Sequence, residues 1–248
     1  MNTVFEATTG LLERENHYCP GCAHGIIHRL FAEAMVQSDV LSRAIGVAPV
    51  GCAGLCYNYF ACDMLSSAHG RAPAVATGIK RGHRDNFVFT YQGDGDLASI
   101  GTAEIVHAAA RGENISVIFV NNATYGMTGG QMAPTTLLGQ RTTTTPTGRD
   151  ALVQGYPLGM SEMLATLEGA VFVERVAVNT PANIRRAKAA MLKCIKAQTE
   201  KAGFGIVEVL STCPTNWGMS AVKSMEWLGE HMVARYPLLN FKDWTKSE

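Results

Sequence analysis

The stretch Phe87-Val88-Phe89-Thr90-Tyr91-Gln92-Gly93-Asp94-Gly95-Asp96, read with Ile115-Ser116-Val117-Ile118-Phe119-Val120-Asn121-Asn122, decides how this chain folds. Each begins as a short run of β-branched and aromatic residues, the composition of strands buried on both faces of a parallel sheet. Each ends in oxygen-bearing side chains. Between them, Ile100, Ile105, Ala108 and Ala109 form a helical stripe within 97–111, with Gly112 as its stop. In open α/β sheets ligands collect at the carboxyl ends of the strands, and a helix starting after Asp96 turns unpaired N–H groups toward an anion. Magnesium takes oxygen ligands in near-octahedral geometry, usually one or two carboxylates completed by phosphate and water. Asp94 offers a carboxylate, Asn122 a side-chain oxygen, and a main-chain carbonyl just beyond it a third ligand. Gly93 and Gly95, lacking Cβ atoms, would let a diphosphate approach the backbone. Gly-Asp-Gly alone reads as an ordinary turn; the second strand with its Asn pair shifts the reading to a magnesium–diphosphate site.

Working outward, the pattern predicts helices over 23–37, 73–82, 162–168 and 181–196, and strands over 44–50, 171–178 and 204–210. Such alternation predicts an α/β fold, a mostly parallel sheet flanked by helices, and 248 residues suit one large domain spanning 1–248. The segment 124–156 has no clear periodicity. A loop that long inside a compact domain is usually functional, and this one is expected to pack over the ligand and line the substrate pocket. Charge is balanced, 21 basic against 21 acidic residues, which points away from nucleic acid and anionic membranes. The first residues lack a basic start and apolar core, and no run approaches the ~20 apolar residues of a membrane span, so a cytoplasmic protein is expected.

Seven cysteines in such a chain are not expected to form disulfides, because the cytosol keeps thiols reduced. Cys19-Pro20-Gly21-Cys22 aims two thiolates at one centre, a spacing suited to zinc, redox exchange or an iron–sulfur cluster. A closed site needs four ligands. Cys52 and Cys213 lie at apparent strand ends beside Gly51 and Pro214, and a cysteine followed by proline also closes one bacterial ferredoxin motif. The spacing C-x₂-C-x₂₉-C-x₁₆₀-C leaves zinc and iron–sulfur open. Cys194, inside a helical pattern, reads as a buried apolar residue, and Cys56 has no assigned role.

The order strand, Gly-Asp-Gly, helix, strand, Asn-Asn resembles the thiamine diphosphate motif of the thiamine-dependent enzymes. The run Thr124-Tyr125-Gly126-Met127-Thr128-Gly129-Gly130-Gln131, followed by Pro134-Thr135-Thr136, narrows the resemblance to the beta subunit of the 2-oxoacid:ferredoxin oxidoreductases, from about Cys19 to Cys213. This resemblance implies a thiamine diphosphate-binding fold in which Asp94, Asn122 and the Thr124 carbonyl hold Mg²⁺. Gly93, Gly95, Asp96 and Thr128 would stand around the cofactor. It also implies that Cys19, Cys22, Cys52 and Cys213 hold a [4Fe–4S] cluster. His69, in His69-Gly70-Arg71, becomes the candidate catalytic contact, and Arg71, Gly78 and Lys80 candidate cofactor contacts, guanidinium and ammonium suiting phosphate.

The activity implied is oxidative decarboxylation of a 2-oxoacid. Thiamine diphosphate supplies the carbanion, the cluster passes electrons singly to ferredoxin, and coenzyme A takes the acyl group. The glutamate that activates the aminopyrimidine is expected from an alpha subunit, with gamma and delta chains as further partners, and the segment 212–248 is a candidate docking surface. Gly129 stands where some relatives carry a lysine associated with 2-oxoglutarate, while Arg141 and Arg149 could pair with a second carboxylate. Both 2-oxoglutarate and a branched-chain 2-oxoacid are therefore expected ahead of pyruvate. The alternatives are a non-redox thiamine-dependent decarboxylase subunit and a zinc-bearing binding protein without catalysis.

Overall fold

In a computed structural model, which describes residues 6–246, the two apolar runs lie side by side. Strand β3 (Phe87–Gly93) pairs in parallel with β4 (Ser116–Asn121), Gly93 opposite Val120. Around them β1 (Ala44–Ala48), β2 (Asp63–Ser66), β5 (Ala170–Ala177), β6 (Phe204–Leu210) and β7 (Asn240–Asp243) complete a seven-stranded sheet ordered β2-β1-β3-β4-β6-β5-β7. Every pairing is parallel except β5 with β7. Central β4 and β6 are buried at every position, as continuous apolar strands covered on both faces must be.

The helices before β6 are α1 (His24–Gln37), α2 (Ala72–Gly82), α3 (Thr102–Ala110), α4 (Ala151–Gln154), α5 (Met160–Ala165) and α6 (Pro181–Thr199), and three short ones follow it, Pro214–Trp217, Ala221–Trp227 and Val233–Arg235. Two of them, α1 and α6, cover one face, over a core that includes Phe31, Phe89, Ile118 and Val207. Packed on the other are α2, α3 and α5, over Val88, Val117, Phe119 and Ile206. Burial of such side chains contributes about 1.5–3 kcal/mol each, so the two-sided core fixes the carboxyl ends of the strands in place.

Two departures from the sequence pattern bear on the site. The expected helix over 97–111 is broken: a π-helical turn (Asp96–Ile100) precedes α3, and the Gly101 N–H reaches back to the Asp96 carbonyl at 2.8 Å. A Cβ on Gly101 would stand 2.7 Å from the Gly70 carbonyl oxygen, so close packing of the 69–71 loop requires glycine at this wider turn. The short polar strands β2 and β7 escape hydrophobic patterning, as edge strands commonly do.

The described part of the segment 212–248, the candidate docking surface, packs much of its apolar content on this domain. Leu228, Met232 and Tyr236 are buried with Ala123, Leu137, Ala177 and Leu210, whereas Val222 is exposed. No helix among the described residues is long and apolar enough to cross a membrane.

Candidate active site

Four adjacent strands end at one place. Cys52 follows β1, Asp94 follows β3, Asn122 follows β4 and Cys213 follows β6, and β1, β3, β4 and β6 are consecutive in the sheet. A cavity of about 120 Å³ opens there, lined by His69, Gly93, Asp94, Gly95 and Asp96 from one side and by Asn122, Thr124 and Thr128 from the other. The structure thus gathers seven of the predicted cofactor residues and the candidate catalytic contact His69.

Asp94 is 3% exposed. Burial pushes its carboxyl up to about 7 despite hydrogen bonds from the Thr135 hydroxyl at 2.5 Å and the Gly95 N–H at 2.9 Å. A buried carboxylate held among the described residues by neutral donors is a site prepared for a cation. Asn122 is buried beside it, its Oδ1 accepting the Thr124 N–H at 3.1 Å. The carboxylate, amide oxygen and Thr124 backbone offer the all-oxygen donor set that Mg²⁺ requires.

The turn bearing Asn122 is strained. Ala123 has φ 56°, a left-handed conformation that costs a non-glycine residue about 1–3 kcal/mol. The Asn121 Oδ1 holds the Ala123 N–H at 3.1 Å, and the Thr136 hydroxyl donates to the Ala123 carbonyl at 2.7 Å. Gly95 also has a different use from the one its sequence suggests: a Cβ there would lie 2.2 Å from the Tyr125 ring, so its bareness admits tyrosine.

His69 lies at the cavity wall with Nδ1 2.6 Å from Asp96 Oδ1. Asp96 is itself fixed by the Gly70 N–H at 2.8 Å and the Gln92 side-chain amide at 2.7 Å. The remaining candidates fall elsewhere. Arg71 pairs with Glu104 on the surface. Gly78 lies within α2 and outside the cavity wall. Lys80 faces the opposite end of the sheet, donating to the carbonyls of Arg84 at 2.9 Å and Asn86 at 2.6 Å, just before β3 begins. Neither cation lines the cavity: Arg71, at the start of α2, turns its guanidinium to Glu104, and α2 carries Lys80 away from the carboxyl ends of the strands.

Segment 124–156 behaves partly as expected. Thr124–Thr128 line the cavity and Thr135 grips Asp94. Arg149 neither faces a substrate nor is solvated: it is 6% exposed and donates to the carbonyls of Pro134, Thr136, Gly155 and Tyr156 at 2.6–2.9 Å. Arg141 is exposed.

Cys19, Cys22, Cys52 and Cys213 line a second cavity of about 190 Å³. Burial, reinforced by the neighbouring thiols, raises Cys22 to about 12 and Cys52 to about 11, so a cationic centre is needed to hold them as thiolates. No three His, Cys, Asp or Glu side chains among the described residues are grouped to hold a single ion. Four thiols lining one cavity are a donor set of the kind that zinc or an iron–sulfur cluster takes. The Cys19–Cys22 turn is tied down by the Thr212 hydroxyl, 2.7 Å from the Gly21 carbonyl, and by Pro214 packed against Gly21. Cys56 and Cys194 are fully buried away from this cavity.

His24, Cys52, Asn122 and Gly126 line both cavities. Sequence reasoning missed His24, which is 2% exposed, held through Nδ1 by the Tyr91 hydroxyl at 2.7 Å and depressed by burial to about 3. A histidine two residues after CxxC carries no signal of its own; only the lie of α1 against β3 brings it here.

Residues 49–209 match the family described as thiamine pyrophosphate enzyme, C-terminal TPP binding domain. Subunit VorA of ketoisovalerate oxidoreductase from Methanothermobacter thermautotrophicus is 51% identical over 98% of this chain and 51% of its own length. Subunit KorB of 2-oxoglutarate synthase from Methanocaldococcus jannaschii is 37% identical over 81% of this chain and 70% of its own. The chain belongs to the thiamine diphosphate-binding subunits of the 2-oxoacid oxidoreductases. It spans about half the length of the VorA relatives. In fold, this 2-oxoacid oxidoreductase subunit superposes on the 2-oxoglutarate:ferredoxin oxidoreductase of Magnetococcus marinus with a TM-score of 0.79 at 24% identity, covering 99% of this chain and 86% of that one.

Proposed function

We propose that the chain is the thiamine-binding subunit of a branched-chain 2-oxoacid:ferredoxin oxidoreductase, which converts the acid and coenzyme A to acyl-CoA and CO₂. The observation that carries this reading is the wall shared by the two cavities, to which Cys52 and Asn122 both contribute. A cofactor that accumulates electrons and a centre that removes them one at a time belong side by side. A non-redox decarboxylase would have no use for the second cavity.

Asp94, Asn122 and the Thr124 carbonyl would hold Mg²⁺ against the diphosphate, with Gly93, Gly95, Asp96 and Thr128 around the cofactor. When bound, thiamine diphosphate supplies the carbanion and the electron sink. Cys19, Cys22, Cys52 and Cys213 would hold the [4Fe–4S] cluster. His69, its Nδ1 close to Asp96 but without a hydrogen-bond partner among the described residues, is placed to hydrogen-bond substrate or cofactor at the cavity wall, and His24 to donate or accept where the cavities meet. The aminopyrimidine-activating glutamate would come from an alpha subunit, with gamma and delta chains and ferredoxin completing a cytoplasmic complex. Leu152, Val153 and Tyr156, each at least 75% exposed, lie on the segment that borders the site and suit burial by such a subunit.

Two facts favour a branched-chain acid over 2-oxoglutarate. The 51% likeness is to a ketoisovalerate oxidoreductase subunit and the 37% likeness to a 2-oxoglutarate synthase subunit. Arg149, the buried guanidinium of the long loop, is committed to main-chain carbonyls and cannot also receive a second carboxylate. The test is production of this chain with its partner subunits without oxygen, then assay of 2-oxoisovalerate, 2-oxoglutarate and pyruvate with coenzyme A and a viologen. The highest kcat/KM is expected for 2-oxoisovalerate. Preference for 2-oxoglutarate would overturn the substrate assignment, and a complex without iron or sulfide would overturn the cluster.

A further inference from the structure

Asn216 touches both halves of this site. It stands one helical turn after Cys213, the spacing that stacks two side chains on one face, and its Nδ2 lies 3.2 Å from Cys213 Sγ and 2.8 Å from the Gly126 carbonyl oxygen. Gly126 lies against both sets of ligands: a Cβ there would be 3.2 Å from Cys52 Sγ, 3.7 Å from Cys213 Sγ and 3.9 Å from Asn122 Nδ2. Gly130, at the other end of the same turn, has φ 83° and would carry a Cβ 3.0 Å from that of Asn216. The turn between Tyr125 and Gln131, closed by the Tyr125 N–H on the Gln131 carbonyl at 3.0 Å, is therefore clamped on Asn216. Its first half, Tyr125 to Thr128, lines the cofactor cavity.

We propose that Asn216 is a positioning residue that couples the cofactor-side turn to the redox centre, one N–H stabilising negative charge on the Cys213 sulfur and the other holding Gly126. The inference rests on the cluster assignment above. N–H donors to cluster sulfurs stabilise the more negative, reduced state, so they raise the reduction potential. The same amide, by fixing Gly126, holds the wall against which the cofactor packs. One side chain thereby sets both the energy of the electron acceptor and the placement of the electron donor. A threonine or alanine in its place would leave the fold's core untouched, since Asn216 is only half-buried.

The experiment compares the wild-type complex with Asn216→Leu, which keeps the bulk and removes both donors, and with Asn216→Ala, should the leucine variant fail to assemble. Each is purified without oxygen and examined for iron content, midpoint potential by EPR-monitored titration, and thiamine diphosphate affinity by calorimetry. Iron content is expected to match wild type, the midpoint to move to a more negative potential, and thiamine diphosphate to bind about 2- to 12-fold more weakly, the range for one lost hydrogen bond. An unchanged midpoint in an iron-replete variant would overturn the proposal. A wild-type complex that holds no cluster would instead overturn the assignment on which it rests.

Discussion

Removing the Glu208 carboxylate is expected to destabilise the chain severely and to loosen the cofactor site. Glu208 lies within β6, its side chain 1% exposed, and accepts from Arg175 Nε at 2.8 Å, Asn121 Nδ2 at 2.8 Å and Ser161 Oγ at 2.5 Å. The Arg175 side chain is wholly buried, with Glu162 as its other carboxylate partner. Glu208→Ala leaves the buried Arg175 Nε–H, the Asn121 amide and the Ser161 hydroxyl without their acceptor, with Glu162 still holding the other side of the guanidinium. Breaking one side of a buried ion pair costs about 3–5 kcal/mol, and at about 2–4 °C per kcal/mol for a chain of this size the midpoint of thermal unfolding should fall by about 6–20 °C. Glu162→Ala is the internal control. Its side chain is 41% exposed, water can replace it, and the loss should be about 1 kcal/mol. Asn121 also holds the strained Ala123 in place, so Glu208→Ala should weaken Mg²⁺-dependent thiamine diphosphate binding even at a temperature where the chain remains folded. Calorimetric unfolding and binding on the purified wild type and both variants check this. Equal losses for Glu208→Ala and Glu162→Ala would refute the reasoning that burial, not the mere presence of an ion pair, decides the cost.

Four further outcomes are expected. Asp94→Ala should reduce Mg²⁺-dependent thiamine diphosphate affinity about 10- to 100-fold, the worth of one interaction with a charged group, and calorimetry at fixed Mg²⁺ reads it directly. Cys213→Ala should lose cluster iron while thiamine diphosphate binding stays within a few-fold of wild type, as measured by iron analysis and calorimetry on one preparation. Arg149→Leu should lower the unfolding midpoint by several degrees, through the buried carbonyls it leaves unpaired, without raising relative activity on monocarboxylic over dicarboxylic 2-oxoacids; a change in that ratio would place Arg149 in the substrate pocket after all. Burial alone would raise Asp243, but hydrogen bonds from Lys193 and Thr245 outweigh it and hold the carboxyl at about 2. Its folded value lies below its unfolded one, so its contribution is fully present above about pH 4 and fades as pH falls toward 2. Asp243→Asn should remove that part of the acid-unfolding slope seen by circular dichroism.

The parts of the fold that were legible in the sequence are those where local pattern and tertiary role coincide. Residues 87–91 and 115–120 are apolar on both faces because both faces are covered, so composition and burial carry the same message. The sheet edges carry no such message: β7, Asn-Phe-Lys-Asp, is recruited by pairing with β5 rather than by its own propensity. Within the site, the meeting of Asp94 and Asn122 at one cavity was legible because each stands just past the end of an apolar strand, and neighbouring parallel strands end on the same side of the sheet. The surroundings of Arg71 and Lys80 were not legible, because sequence does not show that Arg71 finds a carboxylate in Glu104 or that α2 carries Lys80 to the far end of the sheet. Arg149 was misread for a related reason, since sequence does not reveal which carbonyls a long loop leaves needing a donor.

By itself, then, the sequence determined the alternating architecture, the Asp94 and Asn122 elements at strand ends and the Cys19–Cys22 pair, because each rests on residue type and local spacing. Only the tertiary structure decided that the cysteines surround a cavity adjoining the Asp94 site, that His24 and Gly126 stand between the two, and that Asn216 joins them. Those relations link residues nearly two hundred positions apart, and they arise from the order in which strands pack in the sheet, a property of the folded chain that no local stretch encodes.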